Sequence, residues 1–389
     1  METISQELFD YTVAARRYLH QYPETNFDLE NTARFVKEEL QKMGIEPTDK
    51  YGKCSLVADL GPEGKPVLGI RADMDALPVT EKVDVPYKSK IPGKMHACGH
   101  DTHTAVLLAV AKTLKPIEDT LPCRVRLIIQ PAEESTVSGA KMMVDNGVLE
   151  GVDAVVCTHC ENTLDTGWLG MYPGDYMAAC APIHITFLGK TSHATIPEAG
   201  VDAIAMAHEA YTKLKETAKE EAGDRTYIWS VGTFQGGTAH NVIADRCDMD
   251  ISFRFYDNSL CEVMEEKTRE ICQSIAEKFG GKVELDWKVS TVATHNDETM
   301  VHWAESLLKQ EGYQLCRMPQ IKRSEDFGWM LSRVLGMIFR YGTRNEAMGC
   351  TSTAHKNDFC VDESGMKTAI GAFVTIAKHA DEYFEMVKE

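Results

Sequence analysis

Residues 95–114 read MHACGHDTHTAVLLAVAKTL. The first ten positions hold one cysteine and three histidines, and the next ten are mostly apolar. This pattern predicts a glycine-containing turn running into a buried helix over about 101–114. Cys98 and His100 lie two apart on extended backbone, so both can aim at one ion before the helix begins.

Working outward, 5–20 and 28–43 read as amphipathic helices. CSLVADLG and KPVLGIRADMDALP then read as short apolar strands ending in acids. After the 101–114 helix come the strand CRVRLIIQ, ending in PAEE, a helix near 137–146 and the strand DAVVCTH. Alternating strands and helices indicate an α/β catalytic domain. Chemistry in such folds collects at the carboxyl ends of strands, where the loops converge. Asp73, Asp75, Glu133, Glu134 and His159 all stand at such ends.

Around 181 the pattern changes. APIHITFLGK, a helix at 201–220, TYIWSVGTFQG, RCDMDISFRFYD and a helix at 259–279 read as a separate α+β unit. From about 293 the α/β pattern resumes, with a helix at 298–311, the strand GMIFRYG and a closing helix over 363–386. The expected division is therefore a discontinuous domain, 1–180 with 293–389, interrupted by a smaller one at 181–292.

The chain has 389 residues, 43% of them hydrophobic and 26% charged, as expected of a globular protein with a sizeable core. Its formal charge of −18 repels phosphate polymers and anionic lipid surfaces, which argues against nucleic acid and membrane as partners. An anionic small substrate would need local donors. The twelve cysteines are scattered through a large chain without an export-like leader, which favours reduced thiols in a cytoplasm.

The adjacent acids Glu133 and Glu134 follow an apolar strand, and successive side chains on extended backbone point to opposite sides. One carboxylate can then ligate a metal while the other serves as a base, a division suited to hydrolysis by a metal-acidified water. His159 and His355, each in a loop after an apolar strand, add two nitrogen donors. His96 and His103 flank the Cys98–His100 pair. His103, in the first helical turn, is read as an orienting or capping residue and His96 is left out as a ligand. Cys157 and Cys160 form a solitary Cys-x-x-Cys and are read as packing residues.

These residues resemble the metal-dependent amidohydrolases and carboxypeptidases of the aminoacylase/carboxypeptidase G superfamily, in particular its hippurate hydrolase and indole-acetyl-amino-acid hydrolase branch. The likeness spans nearly the whole chain. It rests on RADMDALP at 71–78, HACGHDTHT at 96–104, QPAEES at 130–135, GKTSHATIPEAGVDAI at 189–204, GGTAHNVIAD at 236–245 and SEDFG at 324–328. The resemblance implies a mixed-sheet, zinc-peptidase-like catalytic domain carrying an inserted ferredoxin-like lid and dimerisation domain. It implies two divalent metal ions held by Cys98, His100, Glu134, His159 and His355, with Glu133 as general base. Asp75 would orient a metal-bound histidine. His193, Asn241 and Arg254 would hold the substrate's carboxylate and carbonyl, with His193 reaching the partner subunit's site in a homodimer; His240 is a lower-ranked rival to His193.

The expected reaction is hydrolysis of the amide bond of an N-acyl or N-aroyl amino acid. A dipeptide or peptide C-terminus is the alternative substrate, and a non-catalytic binding protein the alternative class. A thiolate ligand suits zinc, while the carboxylate and imidazoles also admit manganese, cobalt or nickel. Three departures from the family pattern surround the pocket: no proline follows His159, NVIAD stands for NVIPD, and Ala354 precedes His355. They bear on substrate choice rather than chemistry.

Overall fold

The computed structural model of the chain describes residues 2–388. Two compact units divide it. The first comprises the chain up to Tyr176, His295–Gln320 and the chain from Asp326 onward. The second is Met177–Thr294 together with Ile321–Glu325, a short stretch that sequence patterning leaves in the other unit.

The first unit is built on a seven-stranded mixed sheet. Its spatial order is Leu56–Leu60, Arg124–Gln130, Val67–Asp73, Ala154–Asp165, Leu335–Arg344, Trp168–Met171 and Gln314–Arg317. The four strands from Arg124–Gln130 to Leu335–Arg344 run parallel, and Leu56–Leu60 and Trp168–Met171 pair antiparallel to their inner neighbours. Val67–Asp73 is buried at all seven positions, because a central parallel strand is covered on both faces.

The helix His100–Leu114 is buried everywhere except at Lys112 and Thr113. It packs on Val67–Asp73 and against the helices Gln6–Gln21, Glu30–Lys42 and Gly365–Lys378, which is why residues 105–111 are apolar all round rather than striped. Truncating its Leu108, 1% exposed, to alanine would cost about 2–5 kcal/mol.

The expected closing helix over 363–386 is two helices, Gly365–Lys378 and Ala380–Met386, because His379 leaves helical dihedrals at φ −121° and ψ 12°. The short strands Trp168–Met171 and Gln314–Arg317 carry too few alternating residues to announce themselves in sequence.

The second unit runs strand, helix, strand, strand, helix, strand: Ala179–Leu188, Ala203–Ala222, Tyr227–Gly236, Arg246–Phe255, Asn258–Phe279 and Lys282–Trp287. Its antiparallel sheet has the order Lys282–Trp287, Ala179–Leu188, Arg246–Phe255, Tyr227–Gly236, the ferredoxin-like arrangement. Alternation puts Cys247, Met249, Ile251, Phe253 and Phe255 into its core and leaves the intervening residues on the other face. Among the described residues no helix is long and apolar enough to cross a membrane.

Candidate metal centre

The 95–104 turn takes its shape from Gly99. This residue caps the helix in the left-handed region (φ 89°), and a Cβ there would stand 2.3 Å from Cys160 Sγ. Only glycine accommodates both demands. Cys98, just before it, and His100, the first helical residue, are buried. Cys98 Sγ lies 3.3 Å from His159 Nε2. His159 Nδ1 donates to the backbone carbonyl of Cys160 at 2.7 Å, which leaves Nε2 as the lone-pair nitrogen turned toward the thiol.

Strand alternation sets Arg71, Asp73 and Asp75 on one face while Ala72 and Met74 enter the core. Asp73 Oδ1 meets His103 Nδ1 at 2.6 Å, and Asp73 Oδ2 accepts from Arg71 at 2.6 Å. His103 Nε2 accepts the backbone N–H of Cys160 at 3.0 Å, so His103 donates through Nδ1 and both its ring nitrogens are engaged. Asp75 accepts the backbone N–H of Glu133 at 2.9 Å and that of Glu134 at 3.1 Å. The chain is turned into this cradle by Ala132, at φ 56°. A Cβ on Gly139 would lie 1.7 Å from the Pro131 carbonyl, so the helix starting there presses directly on the turn.

His355 arrives from a distant loop with φ 71°, a conformation the surroundings must enforce in a non-glycine residue. Its N–H donates to the Ala97 carbonyl at 2.8 Å, and its Nε2 lies 3.1 Å from Glu134 Oε1. His100 Nε2 stands 3.9 Å from Glu133 and 4.0 Å from Glu134, and His100 Nδ1 stands 3.4 Å from Asp75 Oδ1. At that range the Asp75 contact is electrostatic, and neither ring nitrogen of His100 makes a hydrogen bond.

The sequence candidates Cys98, His100, Glu134, His159 and His355 thus come together with Glu133 and Asp75. Ligand atoms in the sets Cys98–His100–His159, Cys98–Glu134–His355 and His100–Glu133–Glu134 each lie within 4.8 Å of one another. The structure adds residues to this neighbourhood that the sequence reading placed elsewhere or passed over. Cys160, read as packing, shares such a set with His103 and His159. Asp326, from SEDFG, accepts from Arg71, Gln130 and Ser138 and so braces Arg71. The spacing of 71, 73 and 75 is the one signal that marks Arg71 and Asp73 in the sequence. His96 is drawn aside, its ring 6.3 Å from that of His20.

Electrostatics fit a cation. Burial alone would depress His100, but Asp73, Asp75 and Glu134 outweigh it and raise its pKa to about 10. Burial, followed by Glu134 and Glu133, pushes the Cys98 thiol up. Burial likewise raises Glu134, but His355 and His100 overcome this and hold it down. Burial and then Arg340 keep His159 neutral, the form in which an imidazole ligates. The donor set of a thiol, imidazoles and carboxylates around a buried, unbonded His100 suits divalent transition-metal ions.

In the second unit, His193 pairs with Val242 across an antiparallel bridge, and Ala194 N–H donates to the Asn241 carbonyl at 3.0 Å. His193 Nδ1 lies 2.8 Å from Thr195 Oγ1. These loops leave the sheet at the end where Arg246 faces Leu188. Arg254 lies eight residues along that strand, opposite Cys180, at roughly 3.4 Å per residue or about 27 Å away. It donates to Lys322 O at 3.1 Å and to Ser324 Oγ at 3.3 Å. Within one copy, His193 and Asn241 are therefore grouped together and Arg254 is remote from both.

The sequence pattern of peptidase family M20/M25/M40 matches residues 69–379. The chain belongs to that family. It is 33% identical over 376 residues to thermostable carboxypeptidase 1 of Saccharolobus solfataricus, covering 96% of each chain. It is 32% identical to the N-acetylcysteine deacetylase of Bacillus subtilis, over 93% of this chain and 94% of that one. It is 36% identical to IAA-amino acid hydrolase ILR1-like 5 of Arabidopsis thaliana, over 92% and 84%. Among solved structures, a dinuclear metal-binding M20 peptidase of Bacillus subtilis superposes with a TM-score of 0.83 at 30% identity, covering 97% of this chain and 99% of that one. This M20-family chain is a metal-dependent hydrolase of amide bonds, and the resemblance and fold class expected from its sequence hold.

Proposed function

We propose that this M20-family enzyme hydrolyses N-acyl or N-aroyl amino acids, releasing a free amino acid and a carboxylic acid. The observation that carries the reading is the gathering of Cys98, His100, Glu134, His159 and His355 beside a second carboxylate, Glu133. In this reading the first five hold two divalent ions, zinc or manganese by donor type, with cobalt or nickel as substitutes. Bound there, the ions supply an acidified water and a polarised scissile carbonyl.

Glu133 takes the water's proton and returns it to the departing amine. Glu134 contacts His355 and so goes with the ligands, which leaves the base role to its neighbour. Asp75 holds the backbone of both acids and faces His100 Nδ1, fixing the geometry within which the proton moves.

Arg254 grips the substrate's carboxylate, for which a planar guanidinium is well shaped. His193 and Asn241, remote from Arg254 within one copy, act from a partner subunit, and the working form is a homodimer of two-fold symmetry. The lid and dimerisation role falls to the domain expected at 181–292. The chain's twelve cysteines are scattered through a large fold that has its own core rather than arranged as a disulfide framework, which supports residence in a reducing cytoplasm.

The relatives named for acyl and indole-acetyl amino acids favour this substrate class over peptides, and the carboxypeptidase relatives favour the alternative of a dipeptide or peptide C-terminus. A panel of acetyl, benzoyl and indole-acetyl amino acids alongside dipeptides, read by ninhydrin release in metal-loaded protein, decides between them. Release from dipeptides alone would overturn the proposal.

A further inference from the structure

We propose that Cys350 and Cys360 form a reversible disulfide that clasps the loop carrying His355. The two sulfurs are 2.9 Å apart, and a further approach of about 0.9 Å reaches the bonding distance near 2.05 Å. Their neighbourhood already holds the two legs of the loop together. The Asn162 side-chain amide donates to Ser352 O at 2.8 Å and to Cys360 O at 2.7 Å, and Asn162 is itself anchored by Thr343 at 2.6 Å. Cys350 is further pinned by reciprocal backbone hydrogen bonds with Asn345. The pair is thus preorganised by groups that do not depend on the bond being made.

The two thiols also differ in the way an exchange reaction needs. Cys360 is partly exposed and Cys350 is 3% exposed. Cys360 is the thiol that a small disulfide in solvent can reach, so it is the attacking group, while buried Cys350 resolves the mixed disulfide. Burial raises the thiols of Cys123, Cys261 and Cys272, which disfavours them as competitors.

The oxidant is a low-molecular-weight disulfide. The Cys360 thiolate attacks one of its sulfurs, forming a mixed disulfide and expelling one small thiolate. Cys350 then gives its proton to solvent and attacks Cys360 Sγ, expelling the second. Two protein thiols are oxidised, the small disulfide is reduced to two thiols, and excess dithiol reverses the change. The bond closes the stretch from Cys350 to Cys360, with His355 at its middle. The loop loses freedom in the unfolded chain, so the oxidised protein melts a few degrees higher.

The test uses the full-length, metal-loaded protein treated with oxidised glutathione, alkylated, and digested with trypsin without reduction. The expected product joins the peptides Asn345–Lys356 and Asn357–Lys367, lighter by two hydrogens than their sum, and disappears with dithiothreitol. In Cys350→Ala, Cys360 should be trapped as the glutathione adduct. In Cys360→Ala, Cys350 should remain alkylatable. Recovery of both residues fully alkylated from oxidised wild-type protein, or linkage of either to a different cysteine, overturns the proposal. The wild-type peptide map decides alone if a variant fails to fold, and it needs no assumption about substrate.

Discussion

Asp75 holds Glu133 by its backbone: the carboxylate accepts the Glu133 N–H at 2.9 Å, and its other oxygen accepts the N–H of Glu134 at 3.1 Å. A side chain with one acceptor and one amino group cannot serve both donors. Asp75→Asn is expected to lower kcat by about 10–100-fold, the range typical of lost orienting groups around a metal. Steady-state kinetics with metal content measured on the same samples checks this, and an unchanged kcat would refute the positioning role.

The neighbouring glutamates should separate by what each variant loses. Glu133→Gln is expected to keep its metal while kcat falls by about 100–10,000-fold, the usual worth of a general base. Glu134→Gln, which forfeits the carboxylate 3.1 Å from His355, should instead lose bound metal. Elemental analysis after dialysis distinguishes the two, and the reverse pattern would exchange their roles.

The separation of His193 from Arg254 predicts complementation between inactive subunits. His193→Ala and Arg254→Ala should each be nearly inactive as homodimers. Mixed after dissociation, half of the dimers are heterodimers with one intact site of two, so about a quarter of wild-type activity should return. Absence of recovery in a verified heterodimer would place both residues in the same subunit's site.

Removing metal should destabilise the fold. Buried Asp73 and Asp75 and half-buried Glu133 and Glu134 crowd around His100, and cations that bind only the folded chain stabilise it by mass action. Chelation is expected to lower the melting temperature by several degrees, with recovery on adding zinc or manganese. A melting curve indifferent to chelator would count against a resident metal pair.

Acid stability offers a check remote from the centre. Burial raises the Asp59 carboxyl, but Arg126 and then Arg124 more than offset it and leave the pKa below 3.8. A carboxyl depressed on folding contributes stability that is full above its unfolded pKa near 3.9 and is lost as pH falls through the lower folded value. Asp59→Asn should therefore lower the melting temperature at pH 6 and bring variant and wild type together at the acid end. A constant difference between the two across that range would exclude the ion pair as the source.

Much of the first unit was legible because its signals are local. The apolar helix after Gly99, the buried strand ending at Asp73 and the pairs of acids at strand ends all follow from composition and periodicity. The break at His379 and the short strands Trp168–Met171 and Gln314–Arg317 were not legible, because their conformations are set by neighbours distant in the chain. Arg71 and Asp326, 255 residues apart, make a buried ion pair that neither segment announces alone.

What the sequence determined by itself is the inventory and the chemical type: a thiol, imidazoles and paired carboxylates on an α/β frame, and membership of a hydrolase family. Tertiary structure alone decided which nitrogen of His103 and of His159 donates, that Asp75 grips two backbone amides, and that Cys350 faces Cys360. Residue spacing along the chain specifies only which face a side chain takes. Hydrogen-bond direction and sulfur–sulfur approach depend on ångström-scale packing between segments that the chain brings together only when folded.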